Sequence, residues 1–254
     1  MSKKPPFALV VVDLLSTVAD SAPVSARLLA RALREEGLDV ADEEIRNVHG
    51  LPLRRAVSAL TRTGRGLHAA AQSHDRVHAS FVESLHEHYA SLGAVREVEG
   101  ASKVFAGLRA HGLRLAIVTN VPRRVASTIL ESLDWYDRGL VDTVVTCEEV
   151  DHPRPQPGMV FEAMRRTAVV ESARVMKVGQ TPADLAEGTL AGCDAVVALG
   201  HGAHPAHELR LRPHTHLVDQ LLAVLDLLAV SAVSAVSAVS GPLAERPAFS
   251  TQHR

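Results

Sequence analysis

The stretch FALVVVDLLSTVADS, residues 7–21, decides how the rest of the chain is read. Its first seven residues are an apolar, β-branched run closing on an aspartate, the composition of a strand buried on both faces. Four more such runs follow: RLAIVTN (114–120), DTVVTC (142–147), RVMKVG (174–179) and DAVVALG (194–200). Helical stretches separate them. ASKVFAGLRAHG (101–112) stops on glycine, RRVASTILESL (123–133) follows a proline turn, and PADLAEGTLAG (182–192) begins with proline and ends on glycine. The alternation predicts an α/β fold: a Rossmann-like three-layer core around a parallel sheet, with an inserted α-helical cap.

That cap is read from residues 19–98, where the alternation stops. SARLLARALREEGL (25–38), DEEIRNVHG (42–50), LRRAVSALTRTG (53–64) and HDRVHASFVESLHEHYASLG (74–93) repeat apolar residues every three or four positions, as helices with one buried stripe do. An insertion directly after the first strand is placed over the carboxyl ends of the strands, where open α/β sheets bind ligands. The expected organisation is a core from 7–18 and 99–228, a cap from 19–98, and a low-complexity tail from 229–254. The tail opens with a fourfold Ala-Val-Ser repeat, whose period of three holds no fixed helical face, and it is expected to be poorly ordered.

Composition narrows the function classes. With 27 basic and 29 acidic residues the formal charge is −2, which offers no field for nucleic acid or an anionic membrane and favours a small-molecule substrate; a homodimer is compatible with this class. No apolar run reaches the roughly 20 residues that span a bilayer, and MSKKPP lacks the apolar core of a signal peptide, so a cytoplasmic location is expected. Cys147 and Cys193 are too few for a disulfide framework and are expected to be small buried residues.

A strand ending in Asp13, a helical insertion, a strand ending in Thr119-Asn120, RPQP (154–157) and VGQTPADLAEGTLAG (178–192), in that order, resemble the haloacid dehalogenase superfamily of aspartate-nucleophile hydrolases over about residues 7–228. EEVDHPRPQPGMVFEAM (148–164), RVMKVGQTPADLAEGTLAGC (174–193) and LGHGAHPAHELRLRPHTHLVD (199–219) are most similar to its phosphonoacetaldehyde hydrolase branch. The resemblance implies Asp13 as covalent nucleophile, Thr17 and Thr119 as hydroxyl contacts, Asn120 beside the transferring group and Arg154 as the fixed cation. Leu15, His49, Leu53, Asn120 and Gln180 are the expected substrate-facing set.

Several positions depart from the family pattern. Leu15 stands where most members carry a second acid/base aspartate, Ser16 where they carry glycine, and Gly179-Gln180 where they carry Gly-Asp. The family's Mg²⁺ would have Asp13 and Asp184 as its remaining carboxylates, so binding is expected to be weak or absent, and Gln180→Asp is expected to raise it. Leu53 falls at the position of the branch's Schiff-base lysine, residues 19–98 contain no lysine, and imine formation is excluded by that route. Three function classes follow: a reduced phosphatase-like hydrolase, metal-free chemistry of the dehalogenase type, and a non-catalytic binding or auxiliary protein of a specialised pathway. For the second, Arg27, Arg31, Arg54 and Arg55 are candidates near the cap entrance. Of the fourteen histidines, His74 and His78 have helical i,i+4 spacing but no evident third ligand, while His49 and His201 are expected to face the crevice.

Overall fold

The computed structural model describes residues 6–17, 21–64 and 67–228. The tail from 229 to 254, and with it the expectation of disorder there, lies outside the described residues. The sheet contains β1 (Leu9–Asp13), β2 (Arg114–Thr119), β3 (Thr143–Thr146), β4 (Val175–Gly179), β5 (Ala195–Leu199) and β6 (His216–Val218) in the order β3-β2-β1-β4-β5-β6. Every pairing is parallel. This is the Rossmann-like architecture expected, with β1 in the interior of the sheet between β2 and β4.

Alternation along β1 shows why its run is apolar throughout. Val10 and Val12 join one apolar cluster, Leu9 and Val11 another on the opposite face. The first cluster takes in α5 (Ala101–Ala110) and α6 (Arg123–Leu133), through residues such as Phe105, Leu108 and Ile129. The second is closed by α7 (Gly158–Arg166), whose Met159, Val160 and Ala163 are buried. α8 (Pro182–Leu190) and the short α9 (Ala206–Leu209) cover Val196 and Ala198 of β5. Helices on both faces are what an all-parallel sheet requires.

Between β1 and β2 the described chain is helical: α1 (Ser21–Glu35), α2 (Asp42–Asn47), α3 (Leu53–Gly64) and α4 (Leu67–Ala90) precede α5. Their apolar stripes, including Leu28, Leu33, Val57, Phe81 and Leu85, belong to the same cluster as Val10 and Val12. Chain return to the core is fixed at Val98, whose N–H donates to the Thr17 carbonyl. Two readings change. Cys147 and Cys193 are free but only half-buried, because each lies at the rim of the second apolar cluster. β6 was not expected; it is a three-residue edge strand without a fully buried face, so it lacks a long apolar run.

Candidate active site

Asp13 ends β1 with its backbone still extended, and the chain then turns through a short 3₁₀ segment, Leu14–Ser16. One carboxylate oxygen caps that turn: Asp13 Oδ2 accepts from the Ser16 N–H and from the Ser16 hydroxyl, both at 2.9 Å. The other faces Arg154, whose Nη1 donates to Asp13 Oδ1 at 2.7 Å. Asp13 is therefore both a turn cap and one arm of a buried ion pair, 5% exposed against 1% for Arg154.

The same Arg154 Nη1 donates at 2.7 Å to Asp184 Oδ1, and Arg154 Nε lies 3.2 Å from Glu187 Oε2. Lys177, on β4, places Nζ 2.8 Å from Asp184 Oδ1 and 3.2 Å from Glu187 Oε2. Three carboxylates and two cations thus share a buried cluster at the carboxyl end of β1 and the start of α8. Burial works against the charge of Asp184, yet Arg154, Lys177 and the hydrogen bonds of the α8 N-terminus hold its pKa below the ordinary carboxylate value. Burial prevails at Glu187, whose pKa is raised.

The α8 N-terminus explains why Asp184 cannot turn elsewhere. Its Oδ2 accepts from the Thr181 hydroxyl at 2.7 Å and from the backbone N–H groups of Thr181 and Gln180 at 3.2 and 3.3 Å. The Thr181 hydroxyl oxygen in turn accepts from the Asp184 N–H, completing a reciprocal cap. Gln180 points its side-chain amide at β1, where Nε2 donates to the Leu15 carbonyl at 3.2 Å. A carbonyl only accepts, so the amide nitrogen must face it.

This donor set does not fit Mg²⁺. Asp13 and Asp184 each give an oxygen to the same guanidinium nitrogen, and the Leu15 carbonyl is taken by Gln180. Among the described residues no group of three His, Cys, Asp or Glu is arranged to hold a metal ion. A hard cation needs several free oxygens, and here a fixed organic cation lies between the two carboxylates.

Above Asp13 is a cavity of about 50 Å³, roofed by α1 to α4. Asp13, Thr119, Asn120, Arg154 and Gln180 make one end polar. Leu15, Leu29, Ile45, Leu53 and Phe81 make the remainder apolar. At the ~10–15 Å³ that one water needs, this space admits only a few non-hydrogen atoms. Thr119, ending β2, accepts from the Val121 N–H at 3.2 Å, leaving its own proton for a ligand. Buried Arg154 Nη2 and Asn120 Oδ1 have no hydrogen-bond partner among the described residues. Asn120 Nδ2 donates to the Gly50 carbonyl, tying the loop after α2 to the sheet.

The structure thus brings together Asp13, Leu15, His49, Leu53, Thr119, Asn120, Arg154 and Gln180 at one cavity. It does not bring Thr17, whose hydroxyl is spent on the Leu14 carbonyl at 2.5 Å because the 3₁₀ turn rotates it away. Nor does it bring His201, which is exposed and bonds the Asp219 carbonyl. Asp184 lies behind Arg154 rather than on the cavity wall. None of the four candidate arginines lines the cavity: Arg31 bonds Ser84, Arg54 pairs with Asp75, Arg55 is exposed, and Arg27 borders an outer groove. His74 is likewise engaged with Asp75 and the Arg54 carbonyl. Ser16, read only as a departure from the family's glycine, supplies two hydrogen bonds to Asp13, whereas Lys177 and Glu187 went unread. Lys177 sits inside an apolar strand run and Glu187 three residues beyond Asp184, a spacing that places both acids on one side of α8.

The haloacid dehalogenase-like hydrolase family profile matches residues 10–198. The chain belongs to that family. It is 27% identical over 197 residues to a phosphonoacetaldehyde hydrolase of Bacillus cereus, with 72% of each chain covered. It is 29% identical over 208 residues to a phosphoglycolate phosphatase of Rhodospirillum rubrum, covering 79% of this chain and 83% of that one. Among solved structures, a phosphonoacetaldehyde hydrolase-like protein from Oleispira antarctica superposes with a TM-score of 0.70 at 17% identity over 96% of this chain and 97% of that one. A hydrolase from Pseudomonas syringae does so with 0.77 at 19% identity, over 88% and 98%. At those identities the structural likeness is one of fold.

Proposed function

We propose that the protein hydrolyses a small organic substrate by covalent catalysis at carbon, with Asp13 as nucleophile and no divalent cation. The observation that carries this reading is Arg154 Nη1, 2.7 Å from both Asp13 Oδ1 and Asp184 Oδ1. A phosphate dianion brought to Asp13 would meet three buried carboxylates with only Arg154 and Lys177 to offset them, whereas a neutral carbon centre adds no charge. The apolar lining agrees with such a substrate.

In the first step an Asp13 oxygen forms a bond to the substrate carbon, and the leaving group departs with the bonding electron pair. The Thr119 hydroxyl and Arg154 Nη2, both without acceptors among the described residues, supply donors for the emerging anion. Asp13 becomes a neutral ester while Arg154 stays anchored on Asp184. Water then adds to the acyl carbon, the alkyl oxygen leaves with a proton as product alcohol, and the carboxylate is restored with release of a second proton.

The route is tested by turnover in H₂¹⁸O with the uncharged 2-chloroethanol as probe and p-nitrophenyl phosphate beside it, each with magnesium and with EDTA. Hydrolysis at carbon labels the Asp13 carboxylate, read as a mass gain in its peptide, and survives EDTA. Phosphatase turnover that EDTA abolishes, with label only in released phosphate, overturns the reading. Unchanged turnover in Asp13→Asn overturns it as well.

A further inference from the structure

Outside the cavity, and sharing Ala26, Ile45 and His49 with it, runs a larger groove of about 580 Å³. Three arginines border it: Arg27 and Arg34 from α1, and Arg46 from α2. Arg27 and Arg34 are seven residues apart, two helical turns, so they leave α1 on the same side. Neither makes an ion pair with a carboxylate among the described residues. Among the described residues Arg46 has only a 4.0 Å approach to Glu208, and its buried Nε has no hydrogen-bond partner. Among the described residues Asp42 is the one carboxylate on the groove wall. Alanines at 22, 26 and 30 leave the floor open between the guanidinium groups.

We propose that this groove binds a phosphorylated tail of the substrate, holding it outside the cavity while the reactive end passes His49 to reach Asp13. The proposal rests on the reading of Asp13 as nucleophile for the fate of the reactive end, but not for the binding of the tail. Three forked cations around one space suit a group with several oxyanions better than a single carboxylate, which one arginine satisfies. The volumes point the same way: about 50 Å³ near Asp13 receives a few atoms, whereas about 580 Å³ in the groove receives a much larger group. His49 lines both spaces, and burial keeps its imidazole neutral, with a pKa lowered to about 4. It therefore adds no charge between the two sites near neutral pH.

Inorganic pyrophosphate is the probe, titrated calorimetrically into the full chain at low salt. Arg27→Gln, Arg34→Gln and Arg46→Gln are each expected to weaken binding about tenfold or more, the loss of one charge-assisted contact. The pair Arg55→Gln/Arg62→Gln, exposed on α3 away from the groove, removes two charges against one in each groove variant and is still expected to leave binding within about twofold. Asp13→Asn is expected to retain binding, which separates this proposal from the catalytic reading. No binding by the unmodified protein, equal losses in the α3 pair, or loss of binding in Asp13→Asn would each overturn it.

Discussion

At the scale of single residues, Arg154 carries the most consequence, because it is the shared partner of three buried acids. Arg154→Met leaves Asp13, Asp184 and Glu187 with Lys177 alone, and stability should fall by about 3–5 kcal/mol, the usual cost of stranding buried charge. A urea titration with an unchanged slope and a lower midpoint reads this directly. Asp13→Asn keeps the turn acceptor and the approximate shape; turnover should drop at least about 10³-fold while the melting temperature holds within a few degrees. Gln180→Asp needs revision in the light of the geometry. The new carboxylate has no proton for the Leu15 carbonyl and adds charge beside Asp184, while Arg154 stays between Asp13 and Asp184. The expected result is a loss of about 1–3 kcal/mol and no rise in melting temperature on adding magnesium, rather than tighter binding of the ion.

At the scale of elements, the cap reaches the core through a contact that tolerates little change. Gly50 has φ 87°, its carbonyl accepts from Asn120, and a Cβ there would lie 2.4 Å from Thr181 Oγ1. Thr181 in turn caps α8 and holds Asp184. Gly50→Ala should therefore cost more than about 1 kcal/mol through backbone strain, with further loss from displacing Thr181. Thermal unfolding checks the stability, and a fall in kcat checks that the displacement reaches the cavity. Elements with strong local signals were legible in advance. Helix α6 occupies the predicted 123–133, and four long strands lie within a residue or two of their apolar runs. α7 went unread because its nine residues follow a proline-rich loop that reads as irregular, and β6 because three edge residues carry no period.

For the whole molecule, acid sensitivity follows from His49. Burial lowers its pKa from 6.5 to about 4, with His204 adding repulsion and Asp13 and Asp184 opposing the shift. An unfolded chain takes up the proton near pH 6.5 and the folded chain only near 4, so acidification favours unfolding. The contribution is fully present above the unfolded value, declines as pH falls, and is lost by about pH 4. His49→Gln should flatten the urea midpoint between about pH 5 and 6.5 relative to the unmodified protein.

The sequence by itself determined the parallel sheet and the helical insertion after β1, because burial on two faces and one-sided helices impose local periods, while the resemblance in its motifs pointed to eight of the residues that line the cavity. It also placed Asp13, Thr119 and Arg154 at chain positions that meet in space, through their order along strand ends and loops. Only the tertiary structure decided what those residues do to one another. Thr17 and Asp184 were turned from the cavity by a 3₁₀ turn and a helix cap, while Arg154 was set between two acids 141 and 30 residues away. Lys177 and Glu187 joined that cluster because neighbouring elements pack there. Charge balance in a buried site depends on distances between remote segments, and no local period encodes those distances.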